Sequence, residues 1–287
     1  AISIALDQEE FISIFLNGRG QPAMGPIPPG IFGYLPDEAG INPVVYTWKD
    51  GASHRRGVDE ARALMVRAGW PDGRDSQSGQ PLVLNLDTTS DWMSRQLNQL
   101  GIQLVVRSTD FNRFQEKLRK GSAQLYFMGW NADYPDPENF FFLLYGPEGK
   151  VLHGGENTAN YSNPEFDRLF RNMKNLPNGP ARQAVIDQML KLVRDDAPWV
   201  YWFYPRAYVL QQGWLQNFKP NNVANNTLKY QRVDTERRTA LRAAWNEPLR
   251  WPFLILLGGI LALLWPAVRA YRARADLNAF DRPAGGR

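Results

Sequence analysis

The sequence predicts an α/β domain, a parallel or mixed sheet with helices packed on it, followed by one C-terminal transmembrane helix. Three observations carry this. Between residues 82 and 128, short apolar runs alternate with helical periods of about ten residues. Gly101 and Gly121 stand where each helix must hand over to a strand. The segment Trp251–Val268 then runs without a single charged residue.

Along the chain, Asp7 and Glu10 stand three apart like a capping box, and Phe11, Ile12, Ile14 and Phe15 mark a helix that stops at Asn17-Gly18. The stretch Gln21–Asn42 holds five prolines and four glycines and reads as an irregular loop. A helix fits Val58–Ala68, with Val58, Ala61, Leu64, Met65 and Ala68 on one face and Gly69 as its stop. The alternation then predicts strand Leu82–Leu86, helix Asp91–Leu100, strand Ile102–Val106, helix Phe111–Lys120 and strand Gln124–Met128.

Asn163-Pro164 is an N-cap with proline at the first helical position, and Phe166, Leu169, Phe170 and Met173 follow at i, i+3, i+4 and i+7. Val185, Ile186, Met189, Leu190 and Val193 form the inward stripe of a helix over Ala181–Asp195, ended by Pro198. Trp199–Leu210 is rich in aromatic and β-branched residues and reads as extended chain interrupted by Pro205.

The span Trp251–Val268 has tryptophans near both ends, where indole rings favour the membrane interface. At 1.5 Å per residue it is about 27 Å long, enough for the hydrocarbon core. Arg237, Arg238, Arg242 and Arg250 precede it and Arg269, Arg272 and Arg274 follow, so arginine density leaves its direction open.

Charge divides the same way. Of 33 basic and 29 acidic residues, nine arginines and three acids lie in 237–287, leaving 24 basic against 26 acidic residues in 1–236. The globular part thus offers no footprint for nucleic acid. Without cysteine there is no disulfide, thiol nucleophile or cysteine metal site. The two histidines, His54 and His153, lie far apart in polar, glycine-containing loops, and no metal site is expected. Neither a Gly-x-Ser-x-Gly elbow nor a His paired with Ser is present, so the expectation is a protein that is not an enzyme and uses no cofactor. The chain opens on Ala1 without a charged n-region or apolar h-region, so a leader is expected to have been removed or the sequence to begin inside a longer protein.

The densest chemistry lies in Gly129-Trp130-Asn131-Ala132-Asp133-Tyr134-Pro135-Asp136-Pro137-Glu138-Asn139-Phe140, directly after the third predicted strand. A carboxylate on a loop leaving a strand end, flanked by Trp130 and Tyr134, suits a charge-assisted hydrogen bond in a partly desolvated cleft. Asp133 and Asp136 are also residue types that shape turns beside proline. This passage resembles the Gly-Trp-x-x-Asp-Tyr-x-Asp-Pro-x-x-Phe stretch of bacterial extracellular solute-binding proteins of family 5, the dipeptide and oligopeptide type. Ala5–Gly18 with the Pro-rich segment after it, Val58–Trp70, Asn160–Phe170 and Asp195–Tyr204 resemble further segments of that family in the same order, covering roughly residues 1–235.

The resemblance implies a type II periplasmic-binding-protein-like fold, two α/β lobes that close on a ligand, with most of the first lobe outside this chain. By that likeness 1–199 is the second ligand-binding lobe, 200–236 returns toward the first lobe, 237–250 is a juxtamembrane linker, 251–268 the anchor and 269–287 a basic cytoplasmic tail. It implies that Asp133 binds the ligand's α-amino group, with Trp130, Asn131 and Tyr134 as neighbouring contacts. At position 127 some oligopeptide-binding members carry a basic residue for the peptide carboxylate, whereas this chain has Phe127. The implied function is capture of small peptides outside the cytoplasm for delivery to the permease of an ABC importer. The alternative is another solute, a sugar or a metal chelate, on the same fold. A solute catcher must face arriving solute, so the globular part is expected in the periplasm, the span in the bacterial inner membrane and Arg269–Arg287 inside.

Overall fold

A computed structural model of the chain describes residues 1–87, 92–220 and 226–280, the stretch 275–280 by its backbone alone. Two compact units result, residues 1–210 with 220–226, and residues 211–219 with 227–287.

In the first unit a one-turn helix α1 (Ile2–Ala5) leads into α2 (Gln8–Leu16). Asp7 caps α2 by accepting from the Glu10 amide at 2.8 Å. The box is not reciprocal, because the Glu10 carboxylate instead accepts from Gln96 Nε2 at 2.6 Å. After β1 (Gly20–Pro22), the irregular 21–42 stretch contains only the single turn α3 (Asp37–Gly40). A hairpin of β2 (Tyr46–Lys49) and β3 (Ala52–Arg55) then precedes α4 (Val58–Arg67).

The predicted alternation is present as β4 (Val83–Asp87), α5 (Trp92–Asn98), β5 (Gln103–Arg107), α6 (Phe111–Lys120) and β6 (Leu125–Tyr126). Residues 88–91, with the expected start of the first of these helices at Asp91, lie outside the described residues. The three strands make one parallel sheet in the order β5-β4-β6. Gly101 turns the chain between α5 and β5 at φ +70°, and a Cβ there would meet the Asp72 carbonyl oxygen at 2.0 Å. Gly121 caps α6 in the left-handed region. Leu86, Trp92, Leu97, Leu100 and Ile102 pack with Ile4, Leu6, Tyr46, Ala61 and Met65 into one core.

A second core lies under the helices that follow. The one-turn helices α7 (Glu138–Phe141) and α8 (Lys150–His153) precede α9 (Pro164–Met173) and α10 (Pro180–Asp196). Asn163 caps α9 through the amides of Glu165 and Phe166. Phe141, Phe166, Phe170, Met173, Ile186 and Met189 are fully or almost fully buried together. Of Trp199–Leu210 only β7 (Phe203–Pro205) is a strand, paired antiparallel with β1. Pro22 and Pro205 remove backbone donors from this pair. This pair and the hairpin of β2 and β3 both stand outside the parallel sheet.

In the second unit β8 (Leu215–Gln216) pairs with β9 (Arg232–Val233), followed by α11 (Thr235–Trp245) and α12 (Trp251–Phe280). Within α12 the segment Trp251–Arg274 is long and apolar enough to cross a membrane, holding an 18-residue window with a mean hydropathy of 2.0, none of it buried. The expected span Trp251–Val268 is the first part of this longer helix, which continues through Arg269, Arg272 and Arg274.

Candidate functional site

The site begins where the sheet ends. Asp87 is the last residue of β4, and its pairing with Tyr126 is the last rung between β4 and β6. Of the expected strand Gln124–Met128, Leu125 and Tyr126 pair with β4 among the described residues. Ahead of Leu125 the Gln124 side chain takes the place of a backbone rung by accepting from the Asn85 amide at 2.9 Å. Phe127 to Asn139 therefore leave from the carboxyl end of a parallel strand, the position where open α/β sheets bind ligands. Asp87 is itself occupied there, since its buried carboxylate is paired with Lys117 and accepts from the Thr109 hydroxyl at 3.4 Å.

The loop is organised by Asn139, a residue sequence reasoning did not single out. Its side chain is 2% exposed. Oδ1 accepts from Trp130 Nε1 at 3.1 Å and from the Asp133 amide at 2.9 Å. Nδ2 donates to Asp133 Oδ2 at 3.3 Å. One buried amide thus holds the indole, the backbone and the carboxylate of the motif together. The Trp130 ring stands edge-on to Phe142, centroids 5.3 Å apart.

Within this frame Asn131, Asp133 and Tyr134 are exposed and Trp130 is half-buried. The four residues expected at the site are thus brought to one loop, with the Asp133 carboxylate facing solvent and its second oxygen available to a cation. The Tyr134 hydroxyl donates to the Glu138 carboxylate, closing the outer side of the loop. Phe127 is partly exposed, and its ring meets Trp202 at 5.6 Å. Trp202 in turn contacts Phe11 and Trp92, an aromatic cluster reaching back into the core. Of the other tryptophans, Trp92 is core, Trp199 packs against the second core, and Trp214 meets Trp245 in the second unit.

Asp136 has a different place. It accepts two parallel hydrogen bonds from Arg182, both 2.7 Å, and its Oδ1 also takes the Glu138 amide at 2.9 Å. The turn reading of Asp136 is therefore only part of its role, because it also ties the loop to the first turn of α10. Partial burial works against its charge, but the Arg182 guanidinium and the Glu138 amide outweigh it and hold the carboxyl below the usual range. Arg182 is 4% exposed and gives two further donors to the Met173 carbonyl and Asn178. The sequence carried a signal for it, since continuing the stripe Val193, Met189, Ile186 back one turn lands on Arg182.

Among the described residues, no group of three or more His, Asp or Glu gathers to hold a metal ion. His54 Nε2 instead hydrogen-bonds the Lys49 carbonyl at 3.2 Å. A crevice of about 20 Å³ between Tyr34, Leu190, Arg194 and Tyr204 shares no residue with the 127–139 loop and has room for a water molecule but not a peptide.

Residues 1–151 match the model for bacterial extracellular solute-binding proteins, family 5 Middle. The chain is 26% identical over 218 residues to di/tripeptide-binding protein 4 of Pseudomonas aeruginosa (strain UCBPP-PA14), an alignment covering 75% of this chain and 38% of that protein. Among solved structures it resembles the periplasmic binding protein DppA of Helicobacter pylori in complex with the peptide STSA, with TM-score 0.64 and 22% identity over 81% of this chain and 43% of that one. It also resembles the oligopeptide-binding protein AppA of Bacillus subtilis in complex with a nonapeptide, with TM-score 0.60 and 19% identity over 81% and 46%. The chain thus spans about two fifths of the length of the relatives it matches.

Proposed function

The chain belongs to the family 5 bacterial extracellular solute-binding proteins, and from that premise we propose that it supplies the second lobe of a peptide-binding protein serving an ABC importer. The observation that carries this reading is the Asp133 carboxylate, exposed at the carboxyl end of a parallel strand and held by the buried Asn139. Closure of a first lobe over the loop would remove water from this carboxylate, where a charge-assisted bond to a peptide ammonium is strong. Trp130, Asn131 and Tyr134 then line the same end of the ligand. The relatives named above bind di- and tripeptides, a tetrapeptide and a nonapeptide, so ligand length is decided elsewhere in the cleft. Phe127 gives an apolar rather than a basic surface beside the site, which favours ligands whose carboxylate is met by other groups.

In this reading α12 anchors the protein in the bacterial inner membrane, with the globular part in the periplasm and the arginines that follow on the cytoplasmic side. Two measurements test it. Small molecules released from the purified full-length protein and identified by mass spectrometry should be peptides, and a sugar or metal chelate would overturn the assignment. In intact spheroplasts an impermeant thiol reagent should reach a cysteine placed at Ser76 but not one placed at Ala284, which lies outside the described residues. The opposite pattern would reverse the orientation.

A further inference from the structure

The second unit holds a basic and aromatic surface that peptide binding does not use. Asp234 caps α11 by accepting from the Arg237 amide at 3.0 Å, and its own amide donates to the Trp214 carbonyl at 2.9 Å. At the other end of α11 Trp245 meets Trp214, ring centroids 5.3 Å apart. The helix is thereby fixed against the strand pair of β8 and β9 at both ends. On it Arg238, Arg242 and Trp245 fall at i, i+4 and i+7, beside Arg237 and Leu241 at i and i+4. The lone acid of the helix, Glu236, shares the other side with Ala240 and Ala243. Arg237, Arg238, Arg242 and the following Arg250 are all exposed, and Trp245 is 58% exposed.

We propose that α11 lies on the membrane surface and binds anionic phospholipid headgroups through Arg237, Arg238 and Arg242, with Trp245 at the level of the interface. This rests on the reading of α12 as a membrane anchor. Residues 246–250 reach at most about 17 Å, so α11 stays close to the headgroups that α12 enters, where each arginine gains from a negative surface. The proposal also gives a role to three of the four arginines on the side of the span opposite to the one the positive-inside tendency favours.

The test uses the full chain reconstituted through α12 into lipid nanodiscs. The chain has no cysteine, so Ala240→Cys takes a single donor dye, and the acceptor is a headgroup-labelled lipid. Energy transfer should be high in discs containing phosphatidylglycerol and should fall in discs of phosphatidylcholine alone or at high salt. Replacing Arg237, Arg238 and Arg242 together by glutamine should weaken the surface-bound state about a hundredfold, about fivefold per arginine. Replacing them by lysine should restore it, which separates lost charge from a lost helix. Transfer that is indifferent to lipid charge and to the glutamine substitutions would overturn the proposal. A chain that fails to co-elute with the discs would instead overturn the anchor reading.

Discussion

Arg182 and Asp136 meet in a two-pronged ion pair, both contacts 2.7 Å, that joins the first turn of α10 to the loop carrying Asp133. The Arg182 side chain is 5% exposed and that of Asp136 31%. Replacing Arg182 by methionine keeps most of the buried stem but leaves Asp136, the Met173 carbonyl and Asn178 without their donor. Breaking a fully buried pair costs about 3–5 kcal/mol, and the partial exposure of Asp136 puts Arg182→Met nearer 2–3 kcal/mol. Denaturant unfolding of the purified protein should show this as a lower midpoint at unchanged slope. An unchanged midpoint would mean that the pair does not hold the loop.

The same pair sets an acid dependence. The folded-state pKa of Asp136 lies below its ordinary 3.8, so its ionised form stabilises the fold above about pH 4. That contribution drains away as pH falls through the folded value. The stability difference between the wild-type protein and Asp136→Asn should therefore be full near neutrality and shrink toward zero below the folded pKa. A difference that stays constant across the acid range would show that the substitution acts through something other than this charge.

Asn139→Leu tests the organiser of the site. Leucine fits the volume but leaves the Trp130 indole and the Asp133 amide without an acceptor, a loss of about 2–3 kcal/mol for two hydrogen bonds, part of which solvent recovers. Amide exchange at Asp133 should speed up while exchange in β4 and β5 stays as it was. Equal protection of the Asp133 amide in both proteins would remove Asn139 from its assigned role.

How far the sequence reached can be judged from such residues. The β-α-β-α-β order, the helix over Pro164–Met173 and the stop at Gly101 were legible because periodicity, caps and left-handed glycines are local signals. That Trp130, Asn131, Asp133 and Tyr134 share a loop followed from their adjacency, and the fold adds that the loop leaves the carboxyl end of β6. The ion pair of Asp136 with Arg182, 46 residues apart, was not legible. It depends on which surfaces meet in three dimensions. Asn139 stands in the motif, but a buried amide differs from a turn amide only once its partners are known.

The central claim is that Asp133 receives a peptide ammonium group, and calorimetry on the full-length protein with both lobes tests it most directly. Removing one partner of a desolvated charge pair costs about 2–5 kcal/mol, so Asp133→Asn should weaken a free peptide by roughly 30-fold to a few thousand-fold. Stability without ligand should change little, since Asp133 is exposed. The wild-type protein should likewise reject the N-acetylated peptide, in which the cation is gone. If Asp133→Asn binds the free peptide as tightly as the wild-type protein does, or acetylation makes no difference, Asp133 is not the ammonium site and the peptide assignment loses its main support.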